Sequence, residues 1–174
     1  MKKILIYLLS IGIFGVASIA NSQTIRIGTE GAYPPWNNLN SAGELEGAEI
    51  DFGNEACKRM GVTCEWVTQD WDGIIPALLQ GKYDIIIAGM SITEERKEKV
   101  NFTTGYMTDG ARFAVLKNSG LANLNIAGMA KVNLNNAGGK EQAAIGQLIA
   151  AMDGKTVCVQ SSTIHQNFLE KHMS

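Results

Sequence analysis

The sequence predicts an open α/β fold built around a parallel β-sheet. Three apolar segments have the composition of strands, and two segments with helical spacing separate them along the chain. This strand–helix–strand–helix–strand order is typical of a parallel sheet with helices packed on its faces. The third apolar segment, residues 83–89, runs without polar alternation, which is the pattern of a parallel strand covered on both faces.

The first three elements have strong local signals. TIRIGT at residues 24–29 alternates and contains β-branched residues, so it is expected to form a strand. Pro34 and Pro35 then force a loop. Residues 49–60 have helical spacing, and Gly61 follows as a suitable residue to end that helix. CEWVT at residues 64–68 is expected to be a short second strand.

The next elements are expected from their boundaries. Asp72 is expected to cap a helix over residues 73–80, in which Pro76 lies early enough to be tolerated. Gly81 ends this helix, and the third strand follows. A further helix is expected to begin near Ser91 to Thr93.

The segment after residue 110 contains fewer elements, too few for a closed core of its own. Residues 111–118 and 155–160 are expected to be strands, and residues 141–152 are an expected amphipathic helix. A last helix is expected to begin in the Ser- and Thr-rich segment 161–163. Residues 121–139 are rich in Asn, Gly and Ala without a strong period, so they are expected to form a loop.

The first 22 residues have the features of a cleavable secretory signal peptide. Lys2 and Lys3 precede an uncharged stretch over residues 4–20, and the small residues Ser18 and Ala20 suit a cleavage site. The alternative is a membrane anchor, although about 17 apolar residues is the lower limit for a spanning helix. Cleavage near Ala20 to Ser22 would leave an exported, soluble protein.

The charge balance excludes some classes of function. Loss of Lys2 and Lys3 would leave 13 Lys and Arg against 17 Asp and Glu, a net charge of −4. This balance argues against nucleic-acid binding, which needs a basic patch. His165 and His172 are too far from other ligand types to suggest a metal site, and the Gly-rich segments contain no phosphate-binding fingerprint.

The cysteines agree with export. Cys57 and Cys64 are separated by a polar turn at Gly61, and in an oxidising compartment this spacing favours a local disulfide. Metal binding is the weaker alternative, because no His or second Cys pair lies nearby. Cys158 lies within an apolar strand pattern and is expected to be a buried free thiol.

Arg96 lies where a cation is unfavourable for helix stability. In the first turn of a helix, a positive charge opposes the helix dipole by roughly 0.3–1 kcal/mol. An arginine there suits a carboxylate ligand, held by the guanidinium, the Ser91 hydroxyl and the helix N–H groups. The alternative is an exposed ion pair with Glu94 or Glu95, while Glu95 and Lys99 have the spacing of a favourable i,i+4 pair.

Other candidate site residues follow the ends of the expected strands, where open α/β sheets bind ligands. Tyr33, Trp36 and Trp71 lie in loops, and they are either lids over the core or stacking surfaces for a ligand. Glu30 either attracts a cation or faces solvent. The segment 160–166 offers hydroxyls and a helix N-terminus after the last expected strand.

In combination, these motifs resemble the periplasmic solute-binding proteins of polar amino-acid ABC importers. The motifs are IRIGTEGAYPPW, GELEGAEIDFGNEACKRMG, WDGIIPALLQGKYDIIIAGMSITEERKEKVNFT and GKTVCVQSST, and the resemblance extends from about Thr24 to Lys171. TEGAYPPWN and DWDGI are most similar to the subgroup that binds basic amino acids and opines such as octopine and nopaline. The resemblance implies a two-lobed periplasmic-binding-protein type II fold, with signal peptide 1–22, lobe one at 23–110 and an incomplete lobe two at 111–174.

The resemblance also implies a function and a set of contacts. A monomer would capture a polar or basic amino acid or opine in the periplasm and deliver it to an inner-membrane permease, without a cofactor or catalysis. Arg96 would hold the ligand carboxylate with the Gly89 and Ser91 backbone, and Glu30 would face a distal cation. The implied ligand-binding residues are Glu30, Tyr33, Trp71, Ala88, Gly89, Ser91, Arg96 and Thr163. Tyr33 and Trp71 would sandwich the ligand, and Cys57–Cys64 matches the disulfide of the basic amino-acid binders.

Three departures from the family pattern bear on these expectations. Cys158 stands where the family has Gly, and Ile164 replaces a second Thr whose hydroxyl would meet the ligand. Relatives continue beyond the position of Ser174, so part of the second lobe is expected to be absent. The alternatives are a dehydratase acting on cyclohexadienyl acids, with Glu30 as the candidate general acid, and a truncated copy without function.

Overall fold

The computed structural model describes residues 23–124, 126 and 138–173. The expected signal peptide and most of the expected loop at 121–139 lie outside the described residues. In chain order the first elements are β1 (Thr24–Thr29), β2 (Ala32–Tyr33), β3 (Asn37–Leu39), β4 (Leu45–Glu46), α1 (Ala48–Met60) and β5 (Thr63–Thr68). A 3₁₀ turn (Trp71–Gly73) is followed by α2 (Ile74–Leu79), β6 (Ile85–Ile86), α3 (Glu94–Lys97), α4 (Gly139–Met152) and α5 (Ile164–His172).

The main sheet is parallel, with strand order β5-β1-β6. The register pairs Thr24 with Thr63 and Thr29 with Thr68, so β1 and β5 match along their whole lengths. β6 pairs with β1 on the other side, Ile27 opposite Ile85. Strands β2, β3 and β4 form a small antiparallel sheet. The predicted α/β class and the parallel strand–helix–strand order are confirmed.

The two faces of the main sheet carry separate apolar clusters. In the first cluster, Ile27 packs with Ile87 and with Cys57 of α1. The second cluster contains Tyr83 and Ile74, the latter from α2. Gly28 of β1 faces Tyr83, because successive strand residues point to opposite faces. The Cys57–Cys64 disulfide is confirmed, with a Cα–Cα distance of 5.9 Å.

The third predicted strand is shorter and more exposed than expected. Only Ile85 and Ile86 pair with β1, and Ile85 is 41% exposed because β6 lies at the edge of the sheet. Tyr83, Ile87 and Ala88 are buried as the apolar pattern predicts. The expectation of a strand over residues 83–89 covered on both faces is therefore wrong at Ile85.

The strands predicted at residues 111–118 and 155–160 are wrong. Neither segment forms a strand in the structure. An apolar β-branched pattern supplies only one side of a ladder, and no strand pairs with either segment within the described residues. Cys158 is exposed, so the expectation of a buried thiol is also wrong.

The helix ends test the capping predictions. Gly61 ends α1 in the left-handed region at φ 69°, as predicted. Asp72 does not cap α2: Gly73 occupies the N-cap position, and Asp72 lies within the preceding 3₁₀ turn. Helices α4 and α5 lie close to their predicted places. In the described ranges, no helix has both the length and the apolarity to cross a membrane.

Candidate functional site

A cleft with a volume of about 330 Å³ opens beyond the carboxyl ends of β1, β5 and β6. Its walls come from the loops after these strands and from the segments 102–111 and 160–165. The structure brings every residue of the predicted ligand set to this one cleft. These residues are Glu30, Tyr33, Trp71, Ala88, Gly89, Ser91, Arg96 and Thr163. Trp36 does not line the cleft; its carbonyl accepts the Glu49 N–H at the start of α1.

Gly89 allows two walls of the cleft to approach closely. Its φ is +58°, in the left-handed region, and a Cβ at this position would lie 3.0 Å from the Tyr33 ring. A side chain here would be strained by the backbone and would push the ring away. Gly89 therefore sets how Tyr33 packs against the loop that follows β6.

Arg96 extends from the short helix α3 into the cleft. Thr93 caps this helix, accepting the Arg96 backbone N–H at 3.2 Å. The Arg96 guanidinium donates through Nη1 to the Ser91 carbonyl at 2.8 Å and through Nη2 to the Ser162 carbonyl at 3.1 Å. It also lies over the Trp71 ring, 5.3 Å from the ring centroid.

The Arg96 guanidinium has no carboxylate partner within 4.0 Å among the described side chains. The alternative of an ion pair with Glu94 or Glu95 is not observed; Glu94 instead pairs with Lys97 at 2.8 Å. Burial lowers the pKa of Arg96, and the charge of Glu95 partly opposes this shift. An arginine stays protonated in proteins. Within the described part of the chain, Arg96 is therefore a half-buried cation whose partners, two carbonyls and the Trp71 ring, are all uncharged, which suits it to receiving an anion.

Two carboxylates with the opposite charge to Arg96, those of Glu30 and Asp109, also line the cleft. Glu30 Oε1 accepts the Gln160 amide at 2.5 Å, and Asp109 Oδ2 accepts the Tyr33 hydroxyl at 3.2 Å. Burial raises the pKa of Tyr33, and the neighbouring Asp109 raises it further. The Tyr33 hydroxyl therefore stays protonated and keeps donating to Asp109.

The segment 160–163 closes one side of the cleft. The Ser162 carbonyl accepts the Trp71 indole N–H at 3.0 Å, in addition to Arg96, and Ser162 itself has φ 57°. The Ser161 hydroxyl donates to both carboxylate oxygens of Asp72, at 3.0 and 2.9 Å. Thr163 caps α5 and donates its hydroxyl to the Gln160 carbonyl at 2.8 Å.

Some features of the site were not predicted from the sequence. Asp109 contributes a carboxylate to the cleft, but it does not lie in a motif that marks it locally. Gln160 lies in the segment 160–166 that the sequence marks, although no role was predicted for its side chain. The Gly89 backbone is implied to help Arg96 hold the ligand carboxylate, but its N–H donates to Glu49 at 2.7 Å. Gly89 can thus contribute its position and its carbonyl, while its N–H is already bonded. Nowhere in the described ranges do three or more His, Cys, Asp or Glu side chains form a group that could hold a metal ion.

The fold and cleft define a class of protein: an α/β protein with a ligand cleft beyond the carboxyl ends of a parallel sheet. Residues 25–168 match the model of bacterial extracellular solute-binding proteins, family 3, and the chain belongs to this family.

Similar proteins carry binding-protein names. The octopine-binding periplasmic protein of Rhizobium meliloti is 44% identical over 153 residues, 88% of this chain and 52% of that protein. The L-arginine-binding protein of Pseudomonas aeruginosa is 41% identical over 122 residues, 70% of this chain and 47% of that protein. The chain thus spans about half the length of the curated relatives it matches. A crystal structure of a periplasmic His/Glu/Gln/Arg/opine family-binding protein from Silicibacter pomeroyi with lysine is 59% identical, covers 49% of this chain and 39% of that one, and has a TM-score of 0.48.

Proposed function

We propose that the chain captures a cationic amino acid or an opine in the periplasm and delivers it to the permease of an ABC importer, without chemical change to the ligand. The observation that supports this proposal most strongly is the position of Arg96 and the set of groups that it contacts. Its guanidinium is half-buried in the cleft and lies over Trp71, and among the described residues it donates hydrogen bonds to the carbonyls of Ser91 and Ser162 and to no carboxylate.

The positive and negative side chains of the cleft determine which end of the ligand binds at which place. A ligand carboxylate binds Arg96, because a charge-assisted bond to a guanidinium is about twice as strong as a bond between neutral groups. A distal cation faces Glu30 and Asp109, the acidic side chains that line the same cleft. Tyr33 and Trp71 supply aromatic faces for the apolar or guanidinium part of the ligand. The relatives named for octopine and L-arginine support this polarity, since arginine carries a carboxylate and a guanidinium.

The remaining predicted residues complete the pocket in this proposal. Ser91 offers a hydroxyl next to the carbonyl that Arg96 already binds, and the buried Ala88 offers its carbonyl. Thr163 holds the start of α5 against the cleft through its cap. Ligand binding replaces the Arg96–Ser162 bond or adds to it, which couples the segment 160–163 to the occupied state.

The test is a thermal-shift titration against arginine, lysine, ornithine, histidine and octopine, with glutamate as a ligand of the wrong charge. At a ligand concentration of 100 Kd, binding stabilises the folded state by about 2.7 kcal/mol, which raises Tm by roughly 5–10 °C for a chain of this size. Arg96→Ala is expected to abolish the shift. Glu30→Gln is expected to reduce it for ligands with a cationic tail.

The matched control is Glu44→Gln, which changes an exposed carboxylate in the Asn40 turn outside the cleft. It should leave every shift unchanged. Absence of stabilisation by all five cationic or opine ligands would exclude this ligand class. Conversion of a cyclohexadienyl acid to an aromatic product by the purified chain would overturn the assignment as a binder.

A further inference from the structure

Glu49 is a buried carboxylate that lies beneath the cleft without lining it. It is 2% exposed and occupies the first turn of α1. Its Oε2 accepts the Asn37 side-chain amide at 2.7 Å, and its Oε1 accepts the Gly89 N–H at 2.7 Å. The Tyr106 hydroxyl also donates to Oε1. Asn37 is fully buried, and its Oδ1 accepts the Gly31 N–H at 2.7 Å.

We propose that Glu49 is a positioning residue that fixes the geometry of the ligand cleft; this inference rests on the proposed function. Gly89 and Tyr106 line two walls of the cleft. Through Asn37, the same carboxylate holds Gly31, which lies between the cleft residues Glu30 and Tyr33 along the chain. One side chain thus joins three loops that are far apart in sequence.

The hydrogen-bonding groups around position 49 require an acceptor there. The Gly31 N–H needs the carbonyl oxygen of Asn37, so the Asn37 NH₂ group must point toward Glu49. Three donors therefore converge on Glu49, and an ionised carboxylate is the side chain that only accepts. The start of α1 favours this negative charge through the helix dipole. The three hydrogen bonds offset the cost of burying it.

Glu49→Gln keeps the shape but reverses one hydrogen bond. Its NH₂ group must face either Asn37 or the two donors Gly89 and Tyr106, so one contact becomes donor against donor. An unsatisfied buried donor is costly, and we expect the affinity for arginine to fall by roughly tenfold or more.

A second substitution restores the polarity. In the double variant Glu49→Gln/Asn37→Asp, the residue at 49 donates to the carboxylate at 37, and that carboxylate still accepts the Gly31 N–H. The amide oxygen at 49 then accepts from Gly89 and Tyr106. The charge and shape are unchanged and every donor has a partner, so affinity should return to within a fewfold of the parent chain. Asn37→Asp alone places two carboxylates together and should weaken binding as Glu49→Gln does.

The experiment uses two measurements on the purified chain. Amide hydrogen exchange at Gly89 and Gly31, measured without ligand, reports on the network itself. Calorimetric titration with arginine, far below Tm, reports on the cleft. Glu55→Gln is the matched control, because it lies on the same helix but is exposed and bonded to Arg59 at 2.8 Å. It should change neither measurement.

The outcomes separate positioning from mere stabilisation. Faster exchange at Gly89 and weaker arginine binding in Glu49→Gln, with both restored in the double variant, support the proposal. Unchanged affinity of folded Glu49→Gln, or no recovery in the double variant, overturns it. If Glu49→Gln does not fold, Tyr106→Phe removes one of the three donors and should still weaken arginine binding a fewfold. If the parent chain binds no arginine, the proposed function fails, while unchanged Gly89 exchange in Glu49→Gln would overturn the network by itself.

Discussion

The Cys57–Cys64 disulfide gives a prediction whose size follows from the structure. It joins α1 to β5, with a sequence separation of seven residues. A cross-link of this length removes loop-closure entropy from the unfolded chain, worth about 2.4 kcal/mol at 25 °C in the chain-entropy treatment. Cys57 is 4% exposed and packs with Ile27 and Ile87, so the link also ties the helix to the centre of the sheet. Reduction should lower the free energy of unfolding by about 2–3 kcal/mol.

The assay is urea unfolding followed by tryptophan fluorescence, for which Trp66 in β5 is a local reporter. With a denaturant slope of about 1–3 kcal/mol per molar urea, the midpoint should fall by roughly 1–2 M on reduction. Cys158→Ser is the control, because Cys158 is an exposed free thiol and its loss should leave the redox difference intact. Equal midpoints for the oxidised and reduced chain would show that the disulfide does not stabilise the folded chain.

Two further predictions concern the sheet. In Gly28→Ala, the new Cβ would lie 2.5 Å from the ring of Tyr83, which is 1% exposed. This overpacking should lower the free energy of unfolding, measured with urea, by about 1–3 kcal/mol. The control Gly120→Ala should cost little, because nothing lies within 4 Å of a Cβ at that position. A loss no larger than that of Gly120→Ala would contradict this prediction, because it would show that the Tyr83 ring moves aside at no cost. Hydrogen bonds from the Arg26 side chain and backbone lower the pKa of Asp84. The ionised form is therefore stabilising above the unfolded-state pKa, and this contribution is lost as pH falls through the lower folded-state pKa. Asp84→Asn should lose less stability than the parent chain between pH 7 and pH 3; an equal loss would contradict the role of the pair.

The sequence predicts correctly those elements that depend on local signals alone. Alternation in TIRIGT, helical spacing over 49–60 and the glycine after it predict β1, α1 and the left-handed end of that helix. The strands expected at 111–118 and 155–160 fail for a physical reason. Residue pattern fixes the preference of a segment, whereas a strand also needs a partner in register.

The candidate site shows the same division. The anomalous position of Arg96 in a first helical turn marks it from sequence alone, and the structure places it in the cleft. Asp109 reaches the cleft through the tertiary arrangement of loops, which no local spacing encodes. The same holds for Glu49. The helical pattern over residues 49–60 predicts α1, but the three groups that donate hydrogen bonds to Glu49 come from other segments of the chain.

In the proposed function, Arg96 receives a ligand carboxylate in this cleft. The most direct test compares arginine with agmatine, which is arginine without its carboxylate, by calorimetric titration of the parent chain and of Arg96→Ala. A hydrogen-bonded charge pair is worth about 1.5–3 kcal/mol, so the parent chain should prefer arginine by roughly 10- to 150-fold. In Arg96→Ala this preference should disappear. Equal binding of arginine and agmatine by the parent chain, or an unchanged preference in Arg96→Ala, would show that Arg96 does not bind the ligand carboxylate.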